Sequence, residues 1–243
     1  MFDLAFEDGV ATLTLNRPEA RNAIPAAGWL KLAEAARQAN EARLLAVRGA
    51  GPAFCAGADL ADFPAMREGA AARSGFREEM RAGIAALAHL PIPTVAVIDG
   101  ACYGAGVAVA MACDIRLAGP NASFAITPAK FGISYPQEDV HRLVALVGGG
   151  QAARLLLGAG AIDGAEAARI GLVESFCPTD LEKQVADLVA AIAANHPASL
   201  RSLKQAIALA ARGITSDAEQ DELFDDLLGS EDFAARLAAR RRG

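Results

Sequence analysis

The chain has 243 residues, 53% of them apolar, and a formal net charge of −6. That is enough apolar material for a sizeable core. The one basic cluster, residues 240–242, sits at a chain end, so nucleic acid is not the expected partner, because phosphate binding needs a concentrated basic face.

The cysteines, Cys55, Cys102, Cys113 and Cys177, lack C-x-x-C spacing and lie in apolar surroundings, which reads as small buried hydrophobes in a reducing compartment. No basic and apolar leader is visible, nor a stretch of roughly 18 uninterrupted apolar residues. The expectation is a cytoplasmic protein with no membrane partner.

Residues 2–6 and 10–15 alternate apolar and polar side chains around Asp8-Gly9, a hairpin signal. Asn16-Arg17-Pro18 stops the second strand. Apolar residues recur at helical spacing over 26–42, and 44–47 reads as a short buried strand, so strand, helix and strand form a crossover connection. Residues 49–59, rich in Gly, Pro and Ala, read as a loop. A helix is predicted over most of 63–90, ending at Pro91 and Pro93. Then comes PTVAVIDGACYGAGVAVAMACD at 93–114, a buried strand, a turn through Gly100, Gly104 and Gly106, and a buried helix of small residues. Short strands are expected at 115–118 and 123–126. After Pro128 the chain reads as helical, over 140–147, 150–157, 165–170, 181–194, 198–212, 218–228 and 233–239. The pattern is a layered α/β core with a helical appendage, whose terminal helices cover a neighbouring subunit of a homo-oligomer.

Two glycine-rich loops, FCAGADL at 54–60 and GACYGAG at 100–106, each follow an apolar strand. Loops after neighbouring strands gather at one sheet edge, where their backbone N–H groups can converge on an oxyanion. The plainer alternative is that the glycines serve only tight turns and close packing. A dinucleotide site is set aside, since Val109 stands where a third glycine is needed. His89, His141 and His196 are isolated, so no metal is expected, and no G-x-S-x-G elbow marks a serine hydrolase.

These two loops, with LNRPEARNAI at 15–24, CDI at 113–115 and AEAARIGLV at 165–173, resemble in order and spacing the signature segments of the crotonase superfamily, the enoyl-CoA hydratase and isomerase family. The resemblance covers nearly the whole chain. It implies an α/β fold, a crotonase-like spiral of ββα units over residues 1–190, with a C-terminal helical region over 191–243 that makes homotrimers or dimers of trimers. It also implies an acyl-CoA substrate whose thioester oxygen sits between the N–H groups of Ala58 and Ala105 while an enolate forms. Coenzyme A then arrives as part of the substrate, with no prosthetic group. Its contacts would be Ala20, Ala56, Gly57, Asp59, Leu60 and Gly104; Arg21 stands either as a phosphate contact or as a solvated loop charge.

The family's hydratases carry two glutamates at places that hold Ala108 and Pro128 here. Neither residue can activate water or deliver a proton. The T-P-x-x-x-G-x-x-Y run at 127–135 resembles the methylmalonyl-CoA decarboxylase branch, in which a tyrosine orients the substrate carboxylate. Tyr135 would be that residue, or else a buried ring bonded to backbone. Glu138 is held open as a proton shuttle, Asp139 reads as a first-turn acid favoured by the helix dipole, and His141 as a rim residue. Three readings stand together: decarboxylation or double-bond movement using Tyr135 and Glu138, hydration using Glu138 with an ordered water, and an acyl-CoA-binding scaffold without chemistry.

Overall fold

A computed structural model describes residues 1–67 and 69–240 of the chain. The hairpin opens it: β1 (Phe2–Glu7) pairs antiparallel with β2 (Val10–Leu15), and Asp8 and Gly9 both take the positive φ that a two-residue turn requires. Helix α1 (Trp29–Ala39) crosses back so that β3 (Leu44–Gly49) runs parallel to β2, and β4 (Ala53–Cys55) follows. Helices α2 (Phe63–Met66) and α3 (Ala70–Ala88) lead to β5 (Thr94–Ile98) and β6 (Ala101–Tyr103). Helix α4 (Ala105–Met111) then leads to β7 (Ile115–Ala118) and β8 (Ser123–Ala125).

After the opening hairpin, which lies wholly in the larger sheet, the turns β3–β4, β5–β6 and β7–β8 each contribute one strand to each of two sheets. With β9 (Ile162–Asp163) and β10 (Ser175–Phe176), the orders are β1-β2-β3-β5-β7-β10 and β4-β6-β8-β9. The central strands are parallel and their residues buried, β5 along its whole length, which is why TVAVI reads as a continuous apolar run rather than an alternation. One face packs on α1 and α3 through Trp29, Leu32 and Leu87; the other packs on α7 (Leu181–Ala193), with Leu188 and Ile192 against a cluster that includes Val95 and Leu117. The sequence boundary at residue 190 therefore falls inside a helix that belongs to the core.

The helices expected at 140–147 and 150–157 join as α5 (Gln137–Gly158), whose axis breaks at Gly148, φ 74°. The remaining helices are α6 (Gly164–Arg169), α8 (Pro197–Ala211), α9 (Ala218–Leu228) and α10 (Glu231–Arg240). Asp114 ties three elements together: it accepts from the Thr94 N–H at 2.7 Å and from Lys204 Nζ of α8 at 2.7 Å. Cys55, Cys102, Cys113 and Cys177 are buried free thiols, and burial pushes those of Cys55 and Cys113 up to about 12. Among the described residues no helix is long and apolar enough to cross a membrane, and no group of His, Cys, Asp and Glu is placed to hold a metal ion.

Candidate active site

Strands β4 and β6 are parallel neighbours, with Cys55 opposite Cys102. Their following loops therefore leave the same edge of the smaller sheet and meet. The contact is close. A Cβ on Gly57, whose φ is 101°, would lie 2.7 Å from the Tyr103 carbonyl oxygen and 3.0 Å from the Ala105 nitrogen. A Cβ on Gly106 would lie 2.3 Å from the Cys55 carbonyl oxygen. Only glycine lets the two loops approach in this way.

The residues next to these glycines carry the donors. Ile24 bridges the first loop: its N–H donates to the Gly57 carbonyl at 2.8 Å, and its own carbonyl accepts from Asp59 N–H at 2.9 Å. The Ala58 N–H lies between those two bonds and meets no acceptor among the described residues. Ala105 is the first residue of α4, a position whose N–H has no partner within the helix. Behind each donor its own peptide is held. The Gly57 carbonyl belongs to the peptide that carries the Ala58 N–H. The Gly104 carbonyl, on the peptide that carries the Ala105 N–H, accepts from the Tyr135 hydroxyl at 3.0 Å and from Val107 N–H at 3.0 Å. A hydrogen bond at one end of a peptide group strengthens donation at the other.

In front of the two donors lies a cleft of about 1070 Å³. Its wall includes Ala58 and Ala105 with Ala20, Arg21, Ala56, Asp59, Leu60, Gly104, Tyr135 and Glu138, so the fold brings these sequence candidates together, with Gly57 supporting them from behind. Phe63 and Phe76 line the same cleft, edge to face with ring centroids 6.1 Å apart. Arg21, Arg73, Arg77 and Lys130 also line it, and none of the four pairs with a carboxylate among the described residues. Sequence reasoning missed the last three, because their convergence depends on how α3 and the turn Pro128–Phe131 fold over the cleft.

Asp59 is committed to the loop itself. One oxygen accepts Ala61 N–H at 3.0 Å and the other Arg17 Nη1 at 2.5 Å, and these two contacts hold its carboxyl below the ordinary carboxylate range. The buried Asn22 amide donates to the carbonyls of Ala50 and Ala53 at 2.9 and 2.7 Å. The segment at 15–24 thus works largely as scaffolding for the first oxyanion donor.

The two neighbouring acids differ sharply. Glu138 has a side chain 45% exposed and pairs with Arg81 at 2.7 Å. Asp139 has a side chain only 4% exposed, lies in the cleft wall and pairs with Arg142 at 2.8 Å. Burial pushes its carboxyl above the usual range, against the pull of Arg142. Asp139 does stand in the first turn of α5, but one helical turn before the fully buried Leu143, so its side chain faces inward. That i, i+4 relation to a core leucine was the signal in the sequence. Tyr135 is half-buried, and burial, followed by the Asp139 charge, raises its phenol well above the ordinary value. Ala108 is fully buried with its backbone beside that hydroxyl, while Pro128 lines the cleft.

The enoyl-CoA hydratase/isomerase family model matches residues 5–234. The chain is 34% identical over 240 residues to the 2,3-dehydroadipyl-CoA hydratase of Escherichia coli (strain K12), covering 95% of this chain and 91% of that one. The chain belongs to the enoyl-CoA hydratase/isomerase family. Among solved members, an enoyl-CoA hydratase/carnithine racemase from Magnetospirillum magneticum superposes with a TM-score of 0.93 at 32% identity, covering 99% of this chain and 92% of that one. A Thermobifida fusca YX member, solved in complex with CoA, superposes with a TM-score of 0.81 at 29% identity, covering 100% and 95%. The spiral and the two converging loops are thus those of a crotonase-family acyl-CoA enzyme.

Proposed function

We propose that this family member holds an acyl-CoA thioester in the cleft and stabilises its enolate between the N–H groups of Ala58 and Ala105, without the two-glutamate addition of water. The observation that carries the reading is the pair of free donors, brought side by side by Gly57 and Gly106 in the wall of a roomy cleft. Each such donor is worth roughly 3–4 kcal/mol to an oxyanion in a dry site. The cations Arg21, Arg73, Arg77 and Lys130 suit the phosphates of coenzyme A, and the Thermobifida fusca YX relative carries CoA.

Alanine at 108 and proline at 128 leave no group at those positions to activate water or protonate carbon. Tyr135 has one phenolic proton, already donated to Gly104. It therefore offers lone pairs to the cleft, a poor match for a substrate carboxylate, and decarboxylation is the less favoured alternative. Movement of a double bond needs only one proton carrier and the oxyanion site. For assembly, α8, α9 and α10 expose Leu203, Ile207, Phe224, Leu228, Phe233 and Leu237, in keeping with a homotrimer or a dimer of trimers.

Calorimetric titration with acyl-CoA esters, followed by turnover assays on crotonyl-CoA, a 3-enoyl-CoA and methylmalonyl-CoA, tests the proposal. Binding of the esters with turnover of the 3-enoyl-CoA alone is expected. Fast hydration of crotonyl-CoA would contradict it, and absence of binding by any CoA ester would remove the acyl-CoA reading altogether.

A further inference from the structure

We propose that Asp139 is the catalytic residue that takes a proton from the bound acyl chain and returns it at another carbon. The inference rests on the acyl-CoA reading above. Asp139 lies in the wall of the main cleft and also borders a second chamber of about 520 Å³, lined by residues of α3 and α5. Asp139 is common to the walls of both spaces, so an acyl chain lying across them would meet this carboxylate. Its Oδ1 accepts from Arg142 Nη1 at 2.8 Å, while its Oδ2 receives no hydrogen bond from the described residues. One oxygen held and the other free is the arrangement of an oriented base that can still accept a proton.

Tyr135 links this group to the oxyanion site, because its hydroxyl bonds Gly104 and lies in the field of Asp139. The charged and titratable groups around Asp139 are Arg142, Glu138 and His141 on its own helix, Arg77 and Arg81 on α3, His89 just after it, and Tyr135. Arg142 favours the carboxylate form, but burial is the larger effect and opposes it, so the group is a stronger base than a solvated aspartate. Glu138, exposed and bound to Arg81, is the weaker candidate.

On a 3-enoyl thioester the step balances without water or an oxidant. Oδ2 takes the proton from C2, and the C–H electron pair enters a dienolate whose oxygen sits between Ala58 and Ala105. The Asp139 carboxyl then gives a proton to C4, the double bond moves from C3=C4 to C2=C3, and the carboxylate is restored.

The test incubates purified protein with a 3-enoyl-CoA in deuterium oxide, following conjugation by ultraviolet absorbance, deuterium by mass spectrometry and ester affinity by calorimetry. Asp139→Asn should slow conjugation and exchange by at least about 100-fold while keeping affinity within about threefold. Retained exchange in that variant overturns the proposal, as does loss in Glu138→Gln with Asp139→Asn active. A wild type that binds the ester but neither conjugates nor exchanges also overturns it and leaves the acyl-CoA reading intact; a wild type that binds no ester removes both. If the Asn variant misfolds, the wild-type pH profile decides. The rate should fall as pH drops through a group above the ordinary carboxylate range, and a pH-independent rate overturns the proposal.

Discussion

The hydroxyl of Tyr135 acts on the oxyanion site from behind. Its bond to the Gly104 carbonyl fixes and polarises the peptide whose other end is the Ala105 N–H. A contact of this kind is worth about 0.5–1.5 kcal/mol, and its benefit is greatest when the oxyanion carries full charge. Tyr135→Phe should therefore lower kcat roughly 3- to 10-fold with little change in KM. Steady-state kinetics on the turned-over ester checks this, and a rise in KM at constant kcat would instead indicate a residue that grips substrate. The glycines beside Ala58 and Ala105 announce a close backbone approach in the sequence, but the choice of these two residues as donors rests on the family resemblance. Asp139 reads only as a first-turn acid, because the helix dipole accounts for it without a site; in the fold the start of α5 at Gln137 turns Asp139 toward Leu143 and the cleft and leaves Glu138 outside.

At the level of elements, the best-defined local device is the start of α6. Asp163 caps the Glu166 N–H at 2.8 Å, and Glu166 pairs with Arg169 and Arg154, each at 2.5 Å, fastening α6 to α5. The Arg169 contact first, opposed by desolvation and aided by Arg154, lowers the Glu166 carboxyl to about 2. A depressed folded-state value contributes stability that is full above the ordinary glutamate range and fades as pH falls toward about 2. Glu166→Gln should then lower Tm at neutral pH, with the gap to wild type narrowing as thermal scans move down into the acid range. A gap that stays constant would contradict the ion-pair origin. The run AEAARIGLV thus opens on a structural device, with the preceding aspartate, Asp163, supplying the cap. The hairpin and the parallel strands were legible, since Asp8-Gly9 and the unbroken apolar run of β5 each admit few alternatives. The joining of two expected helices into α5 was not, since three successive glycines read as a stop, whereas here a single residue, Gly148, absorbs the break.

At the level of the molecule, α7 closes the second face of the larger sheet, and α8 is tied back through Lys204 to Asp114 and to the Ile92 carbonyl. Beyond that the C-terminal helices present apolar side chains outward, among them Leu203 on α8 and Phe224 on α9. Sedimentation should give a mass that is a multiple of the 25.0 kDa chain, reduced by the pair Leu203→Glu and Phe224→Glu. A wild type that sediments as a single chain at all concentrations would contradict an interface there. The order of motifs along the chain made the overall spiral legible, but the cleft was not, because Phe63, Phe76, Arg73 and Lys130 come from separate elements that meet only in the fold. The most direct measurement of the central claim is the infrared carbonyl stretch of an acyl-CoA carrying carbon-13 at the thioester carbon, bound to the protein. Polarisation by the Ala58 and Ala105 donors should lower the stretching frequency relative to the free ester, and Gly57→Ala, which wedges a methyl group between the two loops, should abolish the shift. A bound thioester that absorbs at the frequency of the free ester would contradict the oxyanion site.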